Sequence, residues 1–323
     1  VQDHVNPGLL FVASEFGVFF TVDGGGTWTK LKGGAPNIAF RDLVIQQREN
    51  DLVGATFGRS FYVLDDYSPL RDVTRTMLTE GEVLFPVRTT PWYVPKRLLG
   101  CGEPGCKATQ GDSYFVAPNP PFGAVFTYYL AEELKSRKDA RQEDEKEAVE
   151  NNQNVRFPDW KTILDEERED APAIVFTVRN AEGTIVRKID APPAAGFNRA
   201  AWNLRYPELT PWTAEPTDDN FGERGVLVAP GTYSVTMSKR VDGVLSETGQ
   251  SQDFEVVSVR EDPVLPGVSQ EQRVIFESGV DELLRAGNGT VAAIDEIVAE
   301  LDAVKETLER STDGGSFYEI ANS

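Results

Sequence analysis

The stretch Thr21-Val22-Asp23-Gly24-Gly25-Gly26-Thr27-Trp28 constrains the chain path more than any other part of the sequence. An apolar run, Leu9 to Phe20, leads into it, and a mixed run, Thr29 to Leu31, leads out. Two strands joined by a tight turn read this way. The side chains suit a hairpin. The Asp23 carboxylate can accept hydrogen bonds from the amides of its own turn, and the glycines allow positive φ. Thr27 is placed to tie the far side, and Trp28 is expected to re-enter the sheet and pack below it.

The pattern then restarts. Strands are expected at Leu9 to Ser14, Val18 to Val22 and Trp28 to Leu31, and again at Phe40 to Gln46, Asp51 to Thr56 and Ser60 to Leu64. The line Leu9-Leu10-Phe11-Val12-Ala13-Ser14-Glu15-Phe16-Gly17-Val18-Phe19 aligns with Asp51-Leu52-Val53-Gly54-Ala55-Thr56-Phe57-Gly58-Arg59-Ser60-Phe61. Both read apolar strand, small polar residue, Phe-Gly turn, apolar strand. Where the first copy carries the turn motif, the second has only Val63-Leu64-Asp65-Asp66-Tyr67. A restart after about 35 residues approaches the ~40–45 residue repeat of propeller blades.

The motif Ser/Thr-x-Asp-x-Gly-x-Thr-Trp resembles the Asp-box of BNR-type β-propellers, found in sialidases, sortilin-type receptors and some secreted glycosidases. The stretch Ala55-Thr56-Phe57-Gly58-Arg59-Ser60-Phe61-Tyr62-Val63-Leu64-Asp65-Asp66 is similar to the last blades of bacterial sortilin-like or BNR "glycosyl hydrolase" proteins, whose members usually carry Gly where Ser60 stands. The resemblance covers about the first fifth of the chain. It implies that Thr21, Asp23, Gly25, Thr27 and Trp28 form a structural turn on a blade's outer rim, away from any active site. Arg41 and Arg59 occupy equivalent-looking blade positions, as ligands for a sugar carboxylate or as surface ion pairs.

Residues 71–122 read as a connector, dense in Pro and Gly. It contains Cys101-Gly-Glu-Pro-Gly-Cys106, which closes as a disulfide or supplies two ligands. The chain has no other cysteine, and His4 is its single histidine, which argues against a zinc site. A second β-domain is expected over 123–263, interrupted at 131–170 by a charged helical insertion. Its strands and Gly-rich turns recur about every ten residues, as in a small sandwich. The lines Gly196-Phe-Asn-Arg-Ala-Ala-Trp-Asn-Leu-Arg205 and Pro230-Gly-Thr-Tyr-Ser-Val235 resemble the FlgD-type Ig-like module, which makes Trp202 and Tyr233 core residues. An aromatic sugar platform on Trp92 or Trp212 is the other reading. Over 264–323 the tail is helical. Val274, Phe276, Val280, Leu283 and Leu284 form one stripe and Val291, Ile294, Ile297, Val298, Leu301, Val304 and Leu308 a second, separated by Gly287-Asn288-Gly289. A helical hairpin is expected, packed on the Ig-like domain or self-associating.

The expected fold is therefore mainly β: the last blades of an incomplete propeller over 1–70, an Ig-like sandwich, and a C-terminal helical hairpin. With 323 residues, 40% hydrophobic, the chain has material for real cores, and a net charge of −20 disfavours nucleic acid. No apolar run reaches the roughly 20 residues of a membrane helix. The start, Val1-Gln2-Asp3-His4, lacks the features of a signal peptide and reads as that of a fragment. No Ser-His-Asp set, Gly-rich phosphate loop or metal-ligand spacing appears, and Glu15, Asp42 and Asp65 are not paired by sequence. No catalytic residue, cofactor or metal is assigned to this segment. The resemblance implies an exported bacterial protein, secreted, periplasmic or on the cell surface. It binds a protein or glycan ligand through the complete propeller, or else carries a glycosidase site in upstream blades.

Overall fold

The structure, a computed structural model, describes residues 1–74, 76–78, 81–95, 117, 119–208, 225–260 and 267–310. These are mainly β, arranged in several sheets, with a C-terminal helix. The chain divides into two units. The first comprises Val1–Trp92, Ala117–Asn203 and Gly231–Val257; the second takes the rest. Among the described residues, no helix is long and apolar enough to cross a membrane.

The first unit opens with two three-stranded sheets. Strands β1 (Leu10–Ser14), β2 (Gly17–Thr21) and β3 (Thr29–Lys30) form one; β4 (Phe40–Gln46), β5 (Asp51–Thr56) and β6 (Phe61–Leu64) form the other. The six strands anticipated from the restarting pattern are present, β4 and β5 at the anticipated bounds. Alternation decides the faces. Phe11 pairs with Phe20 and Ala13 with Val18 across the first sheet. Leu43 pairs with Gly54, Gly54 with Tyr62, and Leu52 with Leu64 across the second. These faces share one apolar core with Leu9, Phe40, Tyr67, Leu70 and Phe85. Each such buried side chain contributes about 1.5–3 kcal/mol. The opposite face of the second sheet carries Val44, Val53 and Val63 in one cross-strand row and Ala55 with Phe61 in the next. That face is bare, with Phe61 69% and Val63 53% exposed.

Two further sheets complete the unit. Strands β7 (Glu82–Leu84), β9 (Ala124–Leu130) and β12 (Gly196–Trp202) run in the order β12-β9-β7. Strands β8 (Thr90–Trp92), β10 (Ala173–Asn180), β11 (Ile185–Ala191), β13 (Gly231–Val241) and β14 (Val244–Ser258) run β11-β10-β13-β14-β8. Aromatic side chains join the two. Phe126 lies 5.3 Å from Phe176, Tyr128 5.2 Å from Phe176, and Trp202 5.3 Å from Tyr233 in an edge-on contact. Such pairs add about 0.5–1.5 kcal/mol each beyond their burial. Trp202 and Tyr233 are buried, as their place in the two quoted lines implied. The charged insertion forms two helices, α1 (Arg137–Glu150) and α2 (Trp160–Glu167), capped by Ser136 and Asp159. The second unit carries α3 (Gln270–Arg310), started by a reciprocal pair: the Gln272 amide donates to Ser269 Oγ, and the Ser269 amide to Gln272 Oε1. Arg273 Nη2 donates to the Leu227 carbonyl at 2.9 Å.

Four expectations need correcting. Residues 71–122, expected as a connector, supply β7 and β8, strands too short to show a period. In place of strands recurring about every ten residues, residues 231–258 form one long hairpin, β13–β14, closed at Asp242-Gly243 with φ of 53° and 71°. Asp-Gly is the favoured pair for such a turn, so the signal was in the sequence. The tail is one helix, not a hairpin. A helical Gly costs only about 1 kcal/mol against Ala, whereas restarting a helix needs a new nucleus. Thr290 Oγ1 also bonds the Ala286 carbonyl across the suspected break. Trp92 is buried and offers no sugar platform. Trp212, Cys101 and Cys106 lie outside the described residues.

Gly123, at φ 106°, precedes β9 where it passes the end of β12. A Cβ built there would stand 1.9 Å from the Trp202 carbonyl oxygen. Gly123→Ala is expected to cost at least about 2 kcal/mol, from overpacking and backbone strain together. Urea denaturation measures this; an unchanged midpoint would refute the close approach.

Candidate functional site

The Asp23 turn forms as its residue types dictate. Thr21 Oγ1 donates to Asp23 Oδ1 at 2.6 Å and accepts from the Gly25 amide at 3.1 Å, while the Thr27 amide donates to Asp23 Oδ1 at 2.9 Å. Gly24 and Gly25 take φ of 71° and 107°. The Thr21 hydroxyl, then the Thr27 amide, pull the Asp23 carboxyl down to about 2. Trp28 departs from expectation. It precedes β3, is 41% exposed, and does not pack below the sheet.

The other candidates do not converge on one pocket. Arg41 stacks on the Phe57 ring, its guanidinium carbon 5.2 Å from the centroid. Arg59 is exposed in the turn between β5 and β6. Glu15 sits in the β1–β2 turn, and Asp42 Oδ1 accepts from the Leu43 amide. Asp65 follows β6; burial and the Asp51 carboxylate raise its pKa, against the lowering pull of Arg199 and Arg88. Among the described residues, no group of three or more His, Cys, Asp or Glu could hold a metal ion. A cleft lies between α1 and α2, lined by Arg141, Arg156 and Phe157. Arg141 is already engaged there by Glu166 in a two-pronged contact and by Glu145, so its charge is spent internally.

Sequence reasoning missed the most perturbed cluster. Asp3 is buried, and its carboxylate accepts five hydrogen bonds. Oδ1 takes Tyr67 Oη at 2.6 Å and Arg71 Nη2 at 2.8 Å. Oδ2 takes Arg71 Nε at 2.9 Å and the amides of Asn6 and Val5 at 2.7 and 3.1 Å. Arg71 Nη2 also donates to Asn50 Oδ1 at 2.7 Å, and the Tyr67 amide to the Asn50 carbonyl. Burial by itself raises the Asp3 pKa, yet Arg71, Tyr67 and the two amides hold it well below the usual carboxylate range. Burial and the bond to Asp3 push the Tyr67 phenol far above its ordinary value. Perturbed groups of this kind often mark active sites. Here both carboxylate oxygens are saturated by the protein, leaving no lone pair for substrate. The cluster is a clasp between the chain start, the β4–β5 turn and the 3-10 turn Ser68–Arg71. Nothing in the local sequence pairs residues 3 and 71, so no motif signals it.

Comparison with family models, curated proteins and solved structures finds no match to this chain.

Arg71→Ala would leave a buried carboxylate without its cation, at an expected cost of about 3–5 kcal/mol. The Asp3 contribution is fully present above an unfolded carboxyl pKa of about 4 and is lost as pH falls through the lower folded value. Melting midpoints should hold from pH 7 to 5 and fall in acid, and Asp3→Asn should flatten the fall. A midpoint that rises on acidification would contradict the clasp. Asp23→Ala, at an exposed turn, is expected to lower the melting midpoint; an unchanged midpoint would contradict the bracing role of its carboxylate.

Proposed function

We propose that residues 1–70 are the last blades of an Asp-box β-propeller, followed by a FlgD-type Ig-like sandwich, in an exported protein that binds a protein or glycan ligand without catalysis in this segment. The observation that carries the reading is the bare apolar face of the second sheet. Val44, Val53, Val63 and Phe61 stand in register on one side of it, as a blade face does before the next blade covers it. Two sheets cannot close a ring that typically needs 4–8 blades. An exposed apolar patch of this kind marks an interaction surface.

The β5–β6 turn adds support. Ser60 stands where the resembling proteins carry Gly, and its φ is 61°, a conformation Gly adopts without strain. Its carbonyl is held there by the Thr56 amide and hydroxyl. Ser60→Gly is accordingly expected to stabilise the protein by about 1 kcal/mol; destabilisation would count against the shared turn.

The function is tested by dye binding and by activity. The chain should bind a hydrophobic dye, with Phe61→Ser/Val63→Ser lowering the signal at an unchanged fold, and should hydrolyse no fluorogenic glycoside. Little dye binding by the parent chain would remove the blade reading. Measurable sugar hydrolysis would remove the non-catalytic one.

A further inference from the structure

Helix α3 presents a long apolar stripe to solvent. Phe276, Val280, Leu283, Ile294, Ile297, Leu301 and Val304 fall at alternating spacings of four and three residues once Gly287 and Thr290 fill the gap between Leu283 and Ile294. That is the a/d alternation of a coiled-coil seam, interrupted at its middle by two small residues. No residue of α3 is buried; Leu283 is 75% and Ile294 53% exposed. Leu284, Val291 and Val298 widen the stripe along one flank, while Gly279, Ala286 and Ala293 keep the other flank small.

We infer that α3 pairs with α3 of a second copy of this chain, in antiparallel orientation. The volumes at the seam set the orientation. A parallel pair in register places Gly287 on Gly287 and Thr290 on Thr290, leaving a void at the centre of the interface. An antiparallel pair places Gly287 against Ile297 and Thr290 against Ile294 of the second copy. It also sets Val280 against Val304 and Leu283 against Leu301. Every layer then combines residues whose volumes fill it, small facing large where small residues occur. The flank agrees. In the antiparallel pair Leu284 meets Val298, and Val291 meets itself at the twofold axis, so the widened stripes of both copies close on the same side. Charge does not choose between the two, since Lys305 reaches Glu277 in the antiparallel pair and Glu300 in the parallel one. The area is sufficient: covering the exposed side chains between Val280 and Val304 removes roughly 800 Å² per copy, the per-partner size of a standard stable interface.

The pairing is independent of the propeller reading, because it uses a different surface. Sedimentation equilibrium of the whole chain should give a dimer. Leu283→Glu/Ile297→Glu should yield a monomer with the melt of the β-sheets unchanged, whereas Phe61→Ser/Val63→Ser should leave the dimer intact. Gly287→Leu raises helix propensity yet should weaken dimerisation at least about tenfold, because the added side chain overfills the layer with Ile297. Orientation is read by pulsed electron spin resonance with one label on Ser278→Cys in a Cys101→Ser/Cys106→Ser background. At 1.5 Å rise per residue, antiparallel pairing separates the labels by roughly 40 Å and parallel pairing by under about 20 Å. A chain monomeric at high micromolar concentration, a dimer indifferent to the α3 substitutions, or the short label distance would each overturn the inference.

Discussion

The sheets at the start of the chain depend on one buried carboxylate. Asp3 has lost its water, and only the arrangement of five donors around it makes that tolerable. Those donors come from three separated places: its own loop, Tyr67 and Arg71. Holding them together closes the chain start onto the segment that leaves the second sheet. The apolar consequence is direct. With Tyr67 anchored by its hydroxyl, its ring packs edge-on against Phe11 at 5.1 Å and joins the core shared by both sheets. Polar and apolar terms are coupled here, since the clasp fixes the ring and the ring seals the clasp from water.

Farther along, the first unit is organised differently. There the joint between sheets is aromatic, running through Phe126, Phe176, Phe254, Trp202 and Tyr233. The two halves of this unit are connected by specific contacts as well as by chain. Phe85, in the core of the first two sheets, stacks on Phe197 of β12 at 5.6 Å, and Arg199 donates to the Asp66 carbonyl at 2.7 Å. The Asp66 contact places a cation beside the Asp65–Asp66 pair. The Asp66 carboxylate itself braces its own turn, accepting from the Ser68 amide and hydroxyl.

Legibility in the sequence followed the range of the interaction. Strands β1 to β6 were readable because alternation and turn residues are local, and the Thr21–Asp23–Thr27 bonds are local too. The Asp242-Gly243 turn is equally local, a dipeptide whose two positive φ values suit the tight turn of a hairpin. Trp28 misled because a Trp beside a strand is compatible with either face, and only tertiary packing selects one. β7 and β8 were invisible since three residues carry no period; their partners, β9 and β14, lie far away in sequence. The Asp3–Arg71 pair belongs to the same class. Its residues are ordinary singly, and only the fold brings them together. The α3 stripe was legible as helix, yet two glycines suggested a break that helix cooperativity overrides.

Loop amides outside regular structure usually open first, so the clasp can be tested at the amides it holds. Native-state hydrogen exchange, resolved to single amides, would compare Val5, Asn6 and Tyr67 with Phe11 and Leu52 in the core. The expected result is exchange of Asn6 and Tyr67 with the same opening free energy as Phe11 and Leu52, because the clasp and the core open together. Exchange of Val5 and Asn6 at rates near those of an unstructured peptide, with the core still protected, would contradict the dependence of these sheets on Asp3.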